Sequence, residues 1–78
     1  MENLEKYNQA YLEAFGITGD KLVGLEYQGI EEWDSVGHMQ LMAALEDAFD
    51  IMLDTDDIID FSSYEKGKEL ISKYDVTL

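Results

Sequence analysis

Residues 33–49 read WDSVGHMQLMAALEDAF, and this stretch decides the fold. Val36, Met39, Met42, Leu45 and Phe49 recur every three or four residues, while Ala43, Ala44 and Ala48 favour a helical backbone. The other side carries Glu46, Asp47 and Asp50. A helix therefore opens near Ser35, directly after Asp34, a residue type that caps helix N-termini with its side chain. If Asp34 is the cap, Ser35 falls at the first helical position with its hydroxyl pointing outward.

Working outward, Leu4, Tyr7, Tyr11, Ala14 and Phe15 recur at helical spacing and Gly16 follows as a stop, which predicts a first helix. From Ile17 to Trp33 the period is lost: Gly19, Gly24 and Gly29 punctuate Leu22, Leu25, Tyr27 and Ile30, the pattern of a long loop that still buries side chains. After Ile51, Thr55 reads as an N-cap with Asp56 and Asp57 in the first turn of a short third helix. Ser62 with Glu65 fits a capping box for a fourth helix, whose apolar face is Tyr64, Gly67, Leu70, Ile71 and Tyr74, with Gly67 its weak point. No segment alternates with period two, and there is no proline. The expected fold is all-α: a four-helix bundle of three main helices and one short one, with a long loop between helices one and two.

The 78 residues form one expected domain, 1–78. Ordering a chain of that length costs on the order of 120 kcal/mol of conformational entropy, so its apolar residues must share a single core. That leaves little for a deep enzyme cleft. Without cysteine there is neither a disulfide framework nor a thiolate site. The start, MENLEKYNQAYLEAFG, has neither the basic opening nor the apolar run of a secretory signal, and no run is long enough to cross a bilayer. A cytoplasmic monomer is expected, with no membrane insertion. Eighteen acids against five lysines give a net charge of −13. Such a field repels nucleic acid and steers encounter with basic protein surfaces.

Three constellations are candidates to carry chemistry. Ser35 and His38, three apart on one helix, invite a nucleophile–base reading, but no glycine-flanked elbow, oxyanion hole or orienting carboxylate accompanies them. His38 is then a solvated helix residue or a partner contact. Asp54 to Glu65, DTDDIIDFSSYE, can be laid over a calcium loop, but Ile58 and Ile59 occupy the sharp turn where glycine is needed. No metal site is expected. The third is Ser35 as an attachment point: a phosphate ester there would meet free backbone N–H groups and the positive end of the helix dipole.

Trp33-Asp34-Ser35-Val36 followed by LMAALEDAFDI resembles the Asp-Ser-Leu signature and acidic second helix of acyl carrier proteins, with Leu45, Glu46 and Phe49 at the matching spacing. The length, loop and helix order are similar from about Leu4 to Tyr74. The resemblance implies that a phosphopantetheinyl transferase joins 4′-phosphopantetheine, taken from coenzyme A, to Ser35. The arm's thiol would then carry acyl groups as thioesters, reactivity that belongs to the cofactor. The chain itself would be a non-catalytic carrier.

The resemblance further implies that Asp34, Val36, Glu46, Asp47 and Asp50 dock acyl- or aminoacyl-loading and acyl-using enzymes through basic patches. It places an acyl pocket at Met39, Leu45, Leu53, Ile58 and Phe61, and leaves Trp33 to pack on helix two or shield the arm. The chain departs from the pattern at Gly37 and Gln40, where acids usually stand two and five residues after the serine, and at Ile59. These departures imply a dedicated carrier for a specialised pathway rather than ordinary fatty acid synthesis. The alternative is a non-covalent acidic or calcium-responsive interaction module in which Ser35 is only a cap.

Overall fold

The computed structural model describes residues 3–78. Among these, α1 spans Asn3–Phe15, α2 Ser35–Phe49, α3 Thr55–Asp60 and α4 Tyr64–Ser72. A single turn at Gly19–Lys21 interrupts the long first loop. There is no strand among the described residues, only one isolated antiparallel bridge between Glu26 and Ser63. The all-α expectation is met, and among the described residues no helix is long and apolar enough to cross a membrane.

The helix ends follow from local chemistry. α1 stops at Gly16, whose φ of 65° lies in the left-handed region and whose N–H bonds the Leu12 carbonyl at 2.8 Å. α2 begins with Asp34 in extended conformation, its carboxylate accepting from the Gly37 N–H at 2.8 Å. It ends at Asp50, also left-handed with φ 54°.

Two caps stand one residue from their expected places. α3 is flanked by Asp54 rather than Thr55, because the Asp54 carbonyl accepts from Ile58 and its N–H donates to the Tyr74 hydroxyl. α4 is capped by Ser63 rather than Ser62, its hydroxyl accepting from the Lys66 N–H at 3.0 Å. Ser62 is held elsewhere: the first loop pairs with this segment through Tyr27 N–H to Ser62 O and Tyr64 N–H to Leu25 O. The Ser62–Glu65 capping box therefore does not form.

One core unites the helices: Tyr7, Ala10, Tyr11 and Phe15 of α1, Leu41, Met42 and Leu45 of α2, Leu22, Leu25 and Trp33 of the first loop, Phe61, and Tyr64, Leu70 and Ile71 of α4. The buried stripe of α2 is Gly37, Leu41, Met42 and Leu45, rotated from the expected one, so Val36 and Met39 are exposed. Gly37 sets the rotation. A Cβ there would lie 1.8 Å from the Glu32 carbonyl oxygen, so the end of the first loop rests directly on this face of the helix. Gly67 is likewise a contact rather than a weak point, since its missing Cβ makes room for Phe61 and the Tyr7 hydroxyl.

A buried hydroxyl chain fixes α1 to α4. Tyr7 donates its one proton to the Tyr64 carbonyl at 2.6 Å, so Tyr11 must donate to Tyr7 at 2.8 Å. Burial pushes both phenols well above the ordinary tyrosine range.

Candidate functional site

At the start of α2 the cap is supplied by Asp34, so Ser35 is spared that duty and stands exposed at the first helical position. Val36 beside it is 67% exposed. The Asp34 bond uses the Gly37 N–H, and the first-turn N–H groups of Ser35 and Val36 have no carbonyl a turn before them to bond.

One turn on, His38 is a strut and not a solvated residue. The Trp33 indole N–H donates to His38 Nδ1 at 2.9 Å, which leaves the ring proton on Nε2 to donate to the Ile58 carbonyl at 2.8 Å. Both nitrogens are thereby engaged, and neither offers a lone pair to Ser35. Trp33 is fully buried, with ring centroids 5.4 Å from Phe15, 5.7 Å from Tyr11 and 6.2 Å from His38. It is a core residue that ties the first loop to α2.

His38 also lines a cleft of about 240 Å³ between α2, the first loop and α3, together with Tyr27, Ile58, Ile59, Phe61 and Ser62. Of the five expected pocket residues, Ile58 and Phe61 line this cleft. Leu45 and Leu53 lie in the core, and Met39 is 55% exposed outside the lining. The spacing pattern could not have found Tyr27 or Ser62, because the loop pairing that brings them together is a long-range contact.

No family model, curated protein or solved structure matches the chain.

The acids of α2 differ in duty. One Glu46 carboxylate oxygen accepts from the Leu53 N–H at 2.9 Å, fixing the turn between α2 and α3. Asp47 and Asp50 are exposed. In α3, Asp57 is buried and accepts from Lys73 at 2.7 Å and from the Tyr74 hydroxyl at 2.5 Å. The Lys73 bond, then the Tyr74 bond, holds the Asp57 carboxyl below the usual carboxylate range, and Asp57 in turn raises Lys73. This clamp ties α3 to the end of α4, and the His38 strut ties it to α2. In the stretch laid over a calcium loop, residues 55–60 are helical, and among the described residues no three His, Cys, Asp or Glu side chains converge.

Proposed function

We propose that the protein is a carrier of the acyl-carrier kind, in which Ser35 bears a 4′-phosphopantetheine arm and the bundle delivers acyl thioesters to partner enzymes. One observation carries the reading: the serine that opens α2 is exposed, and the preceding aspartate, not the serine, caps the helix. A phosphodiester at Ser35 would meet the spare first-turn N–H groups and the positive end of the helix dipole. His38 supplies no base, so activation of the hydroxyl falls to a phosphopantetheinyl transferase using coenzyme A. The thiol comes with the arm, which suits a chain without cysteine.

Partners of this carrier present basic patches to the exposed acids Asp47 and Asp50 and an apolar contact to Val36. Glu46 contributes less to docking, since part of its carboxylate is committed within the fold. Gly37, which stands where the family pattern has an acid, has no room for any side chain. The reduced acidic face supports a dedicated carrier of a specialised pathway.

The test is intact-mass analysis after incubation with coenzyme A, magnesium and a broad-specificity transferase. Wild type gains one phosphopantetheinyl group and Ser35→Ala gains none. No gain in the folded wild type sinks the carrier reading and leaves an acidic interaction module in its place.

A further inference from the structure

α3 is six residues long and is tied to its neighbours by polar contacts on two sides. Toward α4, the Asp54 N–H donates to the Tyr74 hydroxyl, and Asp57 accepts from that hydroxyl and from Lys73. Toward α2, the Ile58 carbonyl accepts from His38 Nε2 at 2.8 Å. The two ties differ in the protons they need. His38 makes its tie only as the neutral ring. Trp33 presents an indole N–H, a donor with no lone pair, to Nδ1 at 2.9 Å, and Trp33 is fully buried, so that N–H has no water to turn to. A second proton on the imidazole would sit on Nδ1 and set two donors face to face. Leaving the buried N–H without its acceptor costs more than an ordinary hydrogen bond gains. To take the proton, the ring must swing off Trp33, and since both nitrogens belong to one rigid ring, Nε2 is drawn away from Ile58 as well.

The surroundings offer the cation no partner. His38 meets Tyr27 and Trp33 from the first loop, Ile58 and Ile59 from α3, and Phe61 and Ser62 beyond it, none of them charged at neutral pH. On α2 Asp34 stands one turn back with its carboxylate on the Gly37 N–H; in α3 Asp57 is bound to Lys73 and Tyr74, and Asp60 is exposed. Among the described residues no ion pair includes His38. His38 is also the fourth residue of α2, near the positive end of the helix dipole, which disfavours a cation.

We infer that α3 carries a proton-operated latch: protonation of His38 breaks the Trp33–His38–Ile58 relay and frees α3 from α2, while the Asp57 clamp keeps it on α4. Lys73, then Tyr74, holds the Asp57 carboxyl below the usual carboxylate range, so the clamp stays ionised where an imidazole titrates. The freed ring takes up its proton at about pH 6.5, the ordinary histidine value, and the latched ring has no lone pair for it. The latch is therefore closed above that range and is lost as pH falls through it. From about pH 7.5 to about pH 5.5 the opening equilibrium rises about tenfold. The device needs neither an arm on Ser35 nor a partner, so it stands apart from the carrier reading. Its place, one turn from Ser35, puts it beneath the surface that a partner of Ser35 would meet.

The chain has a single histidine and a single tryptophan, so each gives one set of signals. The experiment is an NMR titration of the full chain over that range, with amide hydrogen exchange compared at its two ends after correction for the intrinsic effect of pH. The Trp33 indole N–H signal is expected to move in one step with the His38 ring signals. Protection of the α3 amides of Ile58, Ile59 and Asp60 should fall about tenfold, while that of α1 stays as it was. His38→Gln, which keeps a donor and an acceptor but has no proton to gain, should show neither change. An indole signal that stays put while the ring takes up its proton, α3 protection that holds in acid, or a fall shared equally by α1 overturns the inference. So does an equal fall in His38→Gln. The first three outcomes are read on the wild type alone, so they decide the matter even if the glutamine variant does not fold.

Discussion

Alanine in place of glycine inside a helix ordinarily gains about 1 kcal/mol, and Gly67 lies within α4. Here the packing reverses the sign. A Cβ at position 67 would lie 2.2 Å from the Phe61 ring and 2.2 Å from the Tyr7 hydroxyl, far inside the roughly 3.5 Å at which such atoms normally touch. Phe61 is 2% exposed and Tyr7 0%, so neither ring has solvent to move into. Overpacking of this kind costs about 1–3 kcal/mol. Displacing the Tyr7 oxygen also loosens its bonds to Tyr64 and Tyr11, each worth about 1 kcal/mol. Set against the helical gain, Gly67→Ala should lose about 2 kcal/mol. For a chain of 78 residues the whole stability is about 4–12 kcal/mol, and Tm should fall by about 8–16 °C. Urea unfolding followed by far-UV circular dichroism and by the emission of Trp33, the single tryptophan, measures the loss on two probes. A midpoint equal to or above that of the wild type would refute the packing argument.

Asp34→Ala should cost about 1 kcal/mol and Ser35→Ala less than about 0.5 kcal/mol in the same urea assay, because only the aspartate caps α2; equal losses would return the cap to the serine. The Asp57 carboxyl is held down by Lys73 and Tyr74, so its contribution to stability is complete above the unfolded value of about 3.9 and is lost as pH falls through the lower folded value. Wild type should therefore lose stability on acidification below about pH 5 more steeply than Asp57→Asn, and parallel curves in acid would count against the clamp. Asp50 combines a φ of 54° with a carboxylate at the C-terminal end of α2, so Asp50→Gly should gain about 1 kcal/mol; calorimetry reporting an unchanged or lower Tm would contradict that.

What could be read in the sequence was whatever depends on near neighbours. The Asp34 cap and the Gly16 stop are local and stand in the structure as read, and the apolar period of α1 holds at Tyr7, Tyr11 and Phe15, while Leu4 is exposed and Ala10 is buried in addition. The errors come from contacts that the apolar period does not encode, most of them between residues distant in the chain. Ser62 looks like a cap until the first loop claims its carbonyl for Tyr27. Val36 and Met39 fit the helical stripe of α2 as well as Leu41 does. What exposes them is the seating of Gly37 on Glu32, a contact no period can announce. His38 was legible as a neighbour of Ser35 but not as a strut, because its second partner is the backbone carbonyl of Ile58 on another helix. A carbonyl carries no mark of residue type.

The acids at the end of α2 form the strongest conflict between stability and placement. Its last turn has no basic residue, while Glu46, Asp47 and Asp50 crowd the end where the helix dipole is negative. Glu46 has a structural return, the Leu53 N–H that fixes the turn to α3. Asp47 and Asp50 have none within the fold, being exposed, and Asp50 adds a left-handed backbone that glycine would adopt without cost. Local rules broken without internal compensation mark places where a surface is kept for something outside the chain. On the proposed reading that is a basic partner, and the two kinds of acid separate by experiment. Asp47→Lys and Asp50→Gly should slow partner association at low salt while leaving the fold as stable or more so. Glu46→Lys should lower stability as well, so that its effect on binding alone proves nothing about docking.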